Sequence, residues 1–255
     1  MSYRERLAAR IARVGAPLCV GIDPRPELHE DGRLEADLIR LVEETAGYAA
    51  AFKPNIAYFE VMGSEGYALM ERVLRAIPDE VPVVLDVKRS DIGETQKRYA
   101  KAYFETLGVD AVTLNPLLGY DTLEPFLEYD DKGIYLLAVT SNPGASELLR
   151  CPTADGREVF ELIQDYGARA KDAPADVGLV MGLTNLSDEL LARVSDLPFL
   201  VPGLGAQGGD LDRLVQSERS APMLVNVSRG IQYRDPDKTF AEKAAGWAEQ
   251  LRPLA

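Results

Sequence analysis

Apolar runs of six to eight residues recur along the chain at fairly even spacing, and the stretches between them are amphipathic. The runs are "PLCVGI" (17–22), "AAFKPNI" (50–56), "PVVLDV" (82–87), "AVTLNP" (111–116), "GIYLLAVT" (133–140), "VGLVMGL" (177–183), "PFLVPG" (198–203) and "MLVNVS" (223–228). Several are apolar throughout rather than alternating, which suits parallel strands covered on both faces.

Most of the intervening segments, such as "EADLIRLVEETAGYAA" and "VFELIQDYGARAK", place apolar residues at helical spacing with charges opposite. In "ETQKRYAKAYFETLG" the stripe reads Tyr99, Ala102, Tyr103 and Leu107. Eight strands alternating with helices predict a (β/α)8 barrel, with a doubly wound open sheet as the rival. No linker or low-complexity tail interrupts the pattern, so one domain over 1–255 is expected. The longest connection outside the strands, 141–156, predicts an ordered loop over the barrel mouth.

Composition narrows the function. The 255 residues contain no uncharged apolar run near the roughly 18 a membrane helix needs. The N-terminus, "MSYRERLAARIARVG", is amphipathic and carries acid, unlike a secretory signal, so a cytoplasmic location is the default. A net charge of −13 argues against nucleic acid as a partner. Cys19 sits in an apolar run and Cys151 in a loop, with no zinc spacing. The single histidine, His29, reads as a solvated loop residue and leaves almost no material for a His-based triad or metal site.

In a barrel the functional face lies at the C-terminal ends of the strands. Those ends carry Asp23, Lys53, the "DVKRSD" stretch, Asn115, Ser141, Gln207 and Arg229. Strand side chains alternate, so Asp86 and Lys88 should share the inward face while Val83, Leu85 and Val87 point to the helices. Lys53 from the next strand and Asp91 beyond it would complete a Lys-Asp-Lys-Asp set. A structural ion-pair cluster accounts for "DVK" alone equally well. Arg89 alternates away from Lys88 and reads as a structural salt-bridge residue.

"PGLGAQGGD" (202–210) contains a literal GxGxxG at Gly203, Gly205 and Gly208. It follows the seventh strand rather than the first, and no acidic residue ends the next strand to hold a ribose. Loops after strands 7 and 8 of a barrel bind phosphate through backbone N–H groups, and Arg229 adds a forked donor. A single phosphate therefore fits these letters better than a dinucleotide.

Taken in order, "GIDPR", "FKPN", "LDVKRSDIGET", "TSNPG", "PGLGAQGG" and "SRGI" resemble the orotidine 5′-phosphate decarboxylase family, most closely its longer bacterial subgroup, over about residues 20 to 231. Ser90 stands where that family more often has glycine, and the charged positions are intact. The resemblance implies cofactor-free decarboxylation of orotidine 5′-monophosphate to uridine 5′-monophosphate. It sets Asp86 beside the substrate carboxylate and makes Lys88 the proton donor to C6, with Lys53 and Asp91 completing the array. It gives Asp23 and Lys53 to the ribose, Ser141 to the pyrimidine edge, and Gln207, Arg229 and the Gly230 backbone to the phosphate. The loop after strand 7 is to close and carry Gln207 onto that phosphate. Asn115 and Pro202 are counted among the substrate-binding positions. It also implies a homodimer in which Asp91 and Thr95 reach the partner's site. Competing readings are a metal-assisted sugar-phosphate enzyme, a Schiff-base aldolase using Lys88, and a non-catalytic nucleotide-binding protein. The metal-assisted reading is disfavoured by Lys53, which stands where an additional metal-binding acid would be needed.

Overall fold

The computed structural model describes residues 1–183, 187–202, 209–217 and 219–255. Its strands are β1 (Leu18–Ile22), β2 (Ala51–Pro54), β3 (Val84–Arg89), β4 (Ala111–Leu114), β5 (Gly133–Val139), β6 (Asp176–Met181), β7 (Phe199–Val201) and β8 (Met223–Val227). All neighbours are parallel, in the order β2-β1-β8-β7-β6-β5-β4-β3. Bridges Phe52↔Val83 and Asn55↔Asp86 set β2 against β3, so the sheet nearly closes on itself. The architecture is the (β/α)8 barrel and not the open sheet.

Alternation along the strands sorts residues into two cores. Val20, Phe52, Leu85 and Val112 point outward into the layer packed by the helices. An inner layer takes one residue from every strand: Cys19, Ala51, Val84, Ala111, Tyr135, Val180, Leu200 and Leu224. Helix α1 (Tyr3–Val14) closes the barrel floor, its Tyr3, Leu7 and Ile11 joining that inner layer. The helix starts at a capping box between Ser2 and Glu5 and stops at Gly15, whose φ of 71° suits glycine. Tyr3 and Tyr135 meet edge to face, 6.1 Å between centroids. A Cβ on Gly133 would come within 2.5 Å of the Tyr3 ring, so the floor needs a glycine there. Cys19 lies in this layer, and burial pushes its thiol up to about 12, against the pull of the Lys53 charge.

Two local expectations are corrected and a third gains detail. The helix Gly93–Lys101 runs on into a π-helical turn, Ala102–Thr106. Tyr99, Ala102, Tyr103 and Leu107 pack on the core as the spacing predicts, and Gln96, Ala100 and Phe104 are buried beside them. Among the described residues of "LSDELLARVSD", only Asp188–Leu191 is helical. His29 is not solvated. Its side chain is 11% exposed, its Nδ1 lies 2.9 Å from Asp37 Oδ2, and its ring packs edge-on to Tyr233. Among the described residues, no helix is long and apolar enough to cross a membrane.

Candidate active site

The C-terminal mouth holds a cavity of about 430 Å³. Its charged wall is Lys53, Asp86 and Lys88, its apolar wall is Leu137, Val180, Leu200 and Pro202, and Thr140, Ser141 and Asn142 form the rim. Each charged side chain arrives from a strand end. Lys53 is inward on β2 two residues after Ala51, and Asp86 is inward on β3 two residues after Val84, so alternation aims both into the barrel.

Asp86 is the hub. Lys53 Nζ donates to its Oδ2 at 2.8 Å and Lys88 Nζ to its Oδ1 at 2.5 Å. Burial alone would raise the Asp86 pKa. The charges and hydrogen bonds of Lys53 and Lys88 overcome that and hold the carboxyl well below the usual carboxylate range. Lys53 is 4% exposed, and burial works to lower its pKa. The charges of Asp86 and Asp23 outweigh burial and leave the ammonium above its ordinary value. The result is an ionised acid between two ammonium groups, facing an apolar space.

Lys88 reaches Asp86 by a different route from simple alternation. Its φ is 46°, and the β3–β4 register shifts between Leu85 and Arg89. The side chain of Lys88 is half exposed and lines the cavity. Arg89 turns away as expected. It pairs with Glu60 at 2.5 Å and donates to the Tyr103 hydroxyl at 2.7 Å.

Asp23 lies close enough to Lys53 for its charge to act on the ammonium. Its Oδ2 accepts from Ser228 Oγ at 2.5 Å, and its backbone carbonyl accepts from the Tyr233 hydroxyl at 2.8 Å. Asp23 Oδ1 is buried and has no hydrogen-bond partner among the described residues. Gln232 donates to Ser228 Oγ and to the Gly21 carbonyl, both at 2.9 Å. A Cβ on Gly21 would sit 2.6 Å from Ser228 Cβ, so glycine lets β1 and β8 approach this closely. Ser228, Gln232 and Tyr233 did not stand out in the sequence. The available signal was the four-residue step from Ser228 to Gln232, one helical turn, across the helix Arg229–Gln232.

The other expected positions divide. Ser141 and Pro202 line the cavity. Arg229 is exposed at the start of its helix, and Gly230 packs against Trp247. Asn115 caps the turn Pro116–Leu118 by accepting from the Leu117 N–H at 3.2 Å. Asp91 accepts from the Ile92 N–H at 2.8 Å, and among the described residues no ion pair joins it to Lys53 or Lys88. Thr95 is exposed on the first turn of its helix. Gln207 and the glycines of the GxGxxG pattern, Gly203, Gly205 and Gly208, lie outside the described residues.

Comparison with known proteins agrees with this geometry. Residues 16–244 match the profile of the family described as Orotidine 5′-phosphate decarboxylase / HUMPS. The orotidine 5′-phosphate decarboxylase of Thermomicrobium roseum is 43% identical, with 99% of this chain and 94% of that protein aligned. The structure of Leishmania donovani OMP decarboxylase superposes with a TM-score of 0.84 at 37% identity, covering both chains completely. That of Leishmania donovani UMP synthase superposes at 0.86 with 38% identity, this chain covering 56% of its length. With a profile match over most of its length and full-length relatives well above 30% identity, the chain belongs to the orotidine 5′-phosphate decarboxylase / HUMPS family.

Proposed function

We propose that this protein decarboxylates orotidine 5′-monophosphate to uridine 5′-monophosphate and CO2 in pyrimidine biosynthesis, in the cytoplasm and without a cofactor. The observation that carries the reading is Asp86 held ionised between the ammonium groups of Lys53 and Lys88 at the edge of an apolar cavity.

Cleavage of the C6–carboxylate bond leaves its electron pair on C6 as CO2 departs. A carbanion there has no electron sink in the ring, so the charge must be met from outside. A fixed ammonium close to C6 interacts more strongly with that developing charge than with the ground state, and such differential interaction lowers the barrier. Lys88 then passes a proton to C6 and regains one from solvent, so one proton is consumed for each CO2 released. Asp86 holds both ammonium groups in place and faces the substrate carboxylate. Leu137, Val180 and Leu200 supply a dry wall in which charge is little screened.

Asp23, with one buried oxygen free of hydrogen bonds, suits a ribose hydroxyl, together with Lys53. Ser141 is assigned to the pyrimidine edge, with Asn115 and Pro202 nearby in the binding surface. Arg229, the Gly230 backbone and Gln207 are assigned to the phosphate. Asp91 and Thr95 are assigned to the site of a partner subunit in a homodimer. The exposure of Thr95 and of the neighbouring Ile92, which is 63% exposed, supports that assignment.

The test is turnover by purified protein in chelator-treated buffer. Loss of the substrate's ultraviolet absorbance with stoichiometric CO2 is expected. No turnover on orotidine 5′-monophosphate, with chelator-sensitive activity on a keto sugar phosphate, would replace this reading by the other branch of the family. For the shared site, mixing Asp91→Ala and Lys88→Ala subunits should restore part of the activity. No recovery despite measured subunit exchange would count against sharing.

A further inference from the structure

β3 and β4 pair at Leu85↔Val112 and again at Arg89↔Leu114. Three residues of β3, namely Asp86, Val87 and Lys88, therefore face one residue of β4, Thr113. A bulge of this kind leaves backbone N–H groups without ladder carbonyls, and buried N–H groups are almost always paired with something. Here the partner is a side chain. Thr113 Oγ1 accepts from the N–H of Val87 and from the N–H of Lys88, each at 3.0 Å. With two donors aimed at the oxygen, its own proton goes to Asp86 Oδ1, 2.8 Å away. Thr113 is 1% exposed and lines the cavity beside Lys53, Asp86 and Lys88.

The bulge has a consequence for the charged array. In a regular strand, side chains two residues apart leave the backbone roughly 6.6 Å from one another and parallel. At Lys88 the backbone instead adopts φ 46°, which non-glycine residues rarely take up without support. The turn brings Nζ back to the same Asp86 oxygen that Thr113 holds.

We propose that Thr113 is a positioning residue: its hydroxyl locks the β3 bulge that turns Lys88 onto Asp86, and at the same time fixes the orientation of the Asp86 carboxylate. The kinetic consequence rests on the function proposed above, whereas the structural consequence does not.

The test compares Thr113→Val, which keeps the shape and removes the hydroxyl, with Thr113→Ser, which keeps the hydroxyl. Two readouts are used. In steady-state decarboxylation of orotidine 5′-monophosphate, Thr113→Val should lose about 100-fold in kcat with KM little changed, because ångström-scale misplacement of reacting groups has effects of that order. Thr113→Ser should recover to within about threefold of wild type on the same scale. In amide hydrogen exchange, which needs no turnover, Val87 and Lys88 should be protected in wild type and in the serine variant and exchange fast in the valine variant. An unchanged kcat and unchanged protection in Thr113→Val would overturn the proposal. So would fast exchange of both amides in wild type, a measurement that stands even if the valine variant does not fold. Wild-type protein without turnover would defeat the functional reading, while the exchange arm would still decide the role of Thr113.

Discussion

The two ends of this barrel are built from the same eight strands and solve opposite problems. At the floor, the inner side chains are apolar, and Tyr3, Leu7 and Ile11 of α1 seal them from water. Two strand positions higher, the inner residues become Lys53, Asp86 and Thr113, and the space above them is open. The floor gains stability by removing apolar surface from water, about 1.5–3 kcal/mol for each fully buried large side chain. The mouth pays desolvation for two buried charges, Lys53 and Asp86, which pairing only partly offsets. One end of the barrel therefore contributes stability, and the other uses part of it to hold charges at the edge of an open cavity.

Substitutions at the two ends should separate these roles. The largest effect is expected at Asp86. Asp86→Ala leaves Lys53 buried without its partner, so activity should fall by about 10³-fold, the scale on which removing one preorganised electrostatic group acts. Stability should drop by about 3–5 kcal/mol, the usual cost of breaking a buried pair by removing one side. Steady-state kinetics and denaturant unfolding measure the two losses. A variant with a normal rate would remove the hub from the mechanism.

Next comes the floor. Leu7 is fully buried, and Leu7→Ala should cost about 2–5 kcal/mol of stability while leaving kcat unchanged at a temperature where the variant is folded. A matching loss of kcat would show that the floor and the mouth are not independent.

The pH dependence sharpens the same contrast. Asp86 has its pKa lowered from 3.8, so its pair stabilises the fold above about pH 4 and loses that contribution as pH falls. Lys53 has its pKa raised from 10.5, so its contribution is complete below that value and is lost only as pH rises through the raised one. The stability difference between wild type and Asp86→Asn should therefore be flat from about pH 5 to 9 and shrink below about pH 4. A slope across neutrality would mean that Lys53, without the Asp86 charge to oppose its burial, loses its proton in the variant.

The smallest effect has the opposite sign. Gln96 is fully buried, and among the described residues neither end of its amide has a hydrogen-bond partner. Gln96→Leu should raise stability by about 1 kcal/mol, because removing an unpaired buried polar group removes its desolvation cost. Thermal unfolding would show the gain. A destabilised variant would mean that the amide has a use in the assembled protein.

How legible the two ends are in the sequence follows from the same physics. The floor and the strands depend on hydrophobic period, and runs such as "GIYLLAVT" announce β5 to within one residue of its observed end. Lys53, Asp86 and Lys88 are legible because charges at the ends of apolar runs are conspicuous. Thr113 is not, because it sits inside "AVTLNP" as a neutral residue that a strand tolerates anywhere. Its importance arises only from the register shift, and register is a property of two strands together. Alternation also assumed that β3 stays regular through Lys88, where the backbone turns. His29 was misplaced for a related reason. Asp37 lies eight residues away along the chain and meets it only after the helix Leu34–Thr45 has folded back.

In the proposed reaction the Lys88 ammonium, held by Asp86, meets the charge at C6 and supplies its proton. The most direct measurement is turnover of orotidine 5′-monophosphate by Lys88→Ala, with and without added ethylammonium, alongside its affinity for uridine 5′-monophosphate. A loss of kcat of about a thousandfold is expected, near the middle of the range for removing a positioned acid. Affinity for the product should be nearly unchanged, and ethylammonium should restore part of the rate in a concentration-dependent way. A Lys88→Ala enzyme that turns over within a few-fold of wild type would contradict this role of Lys88.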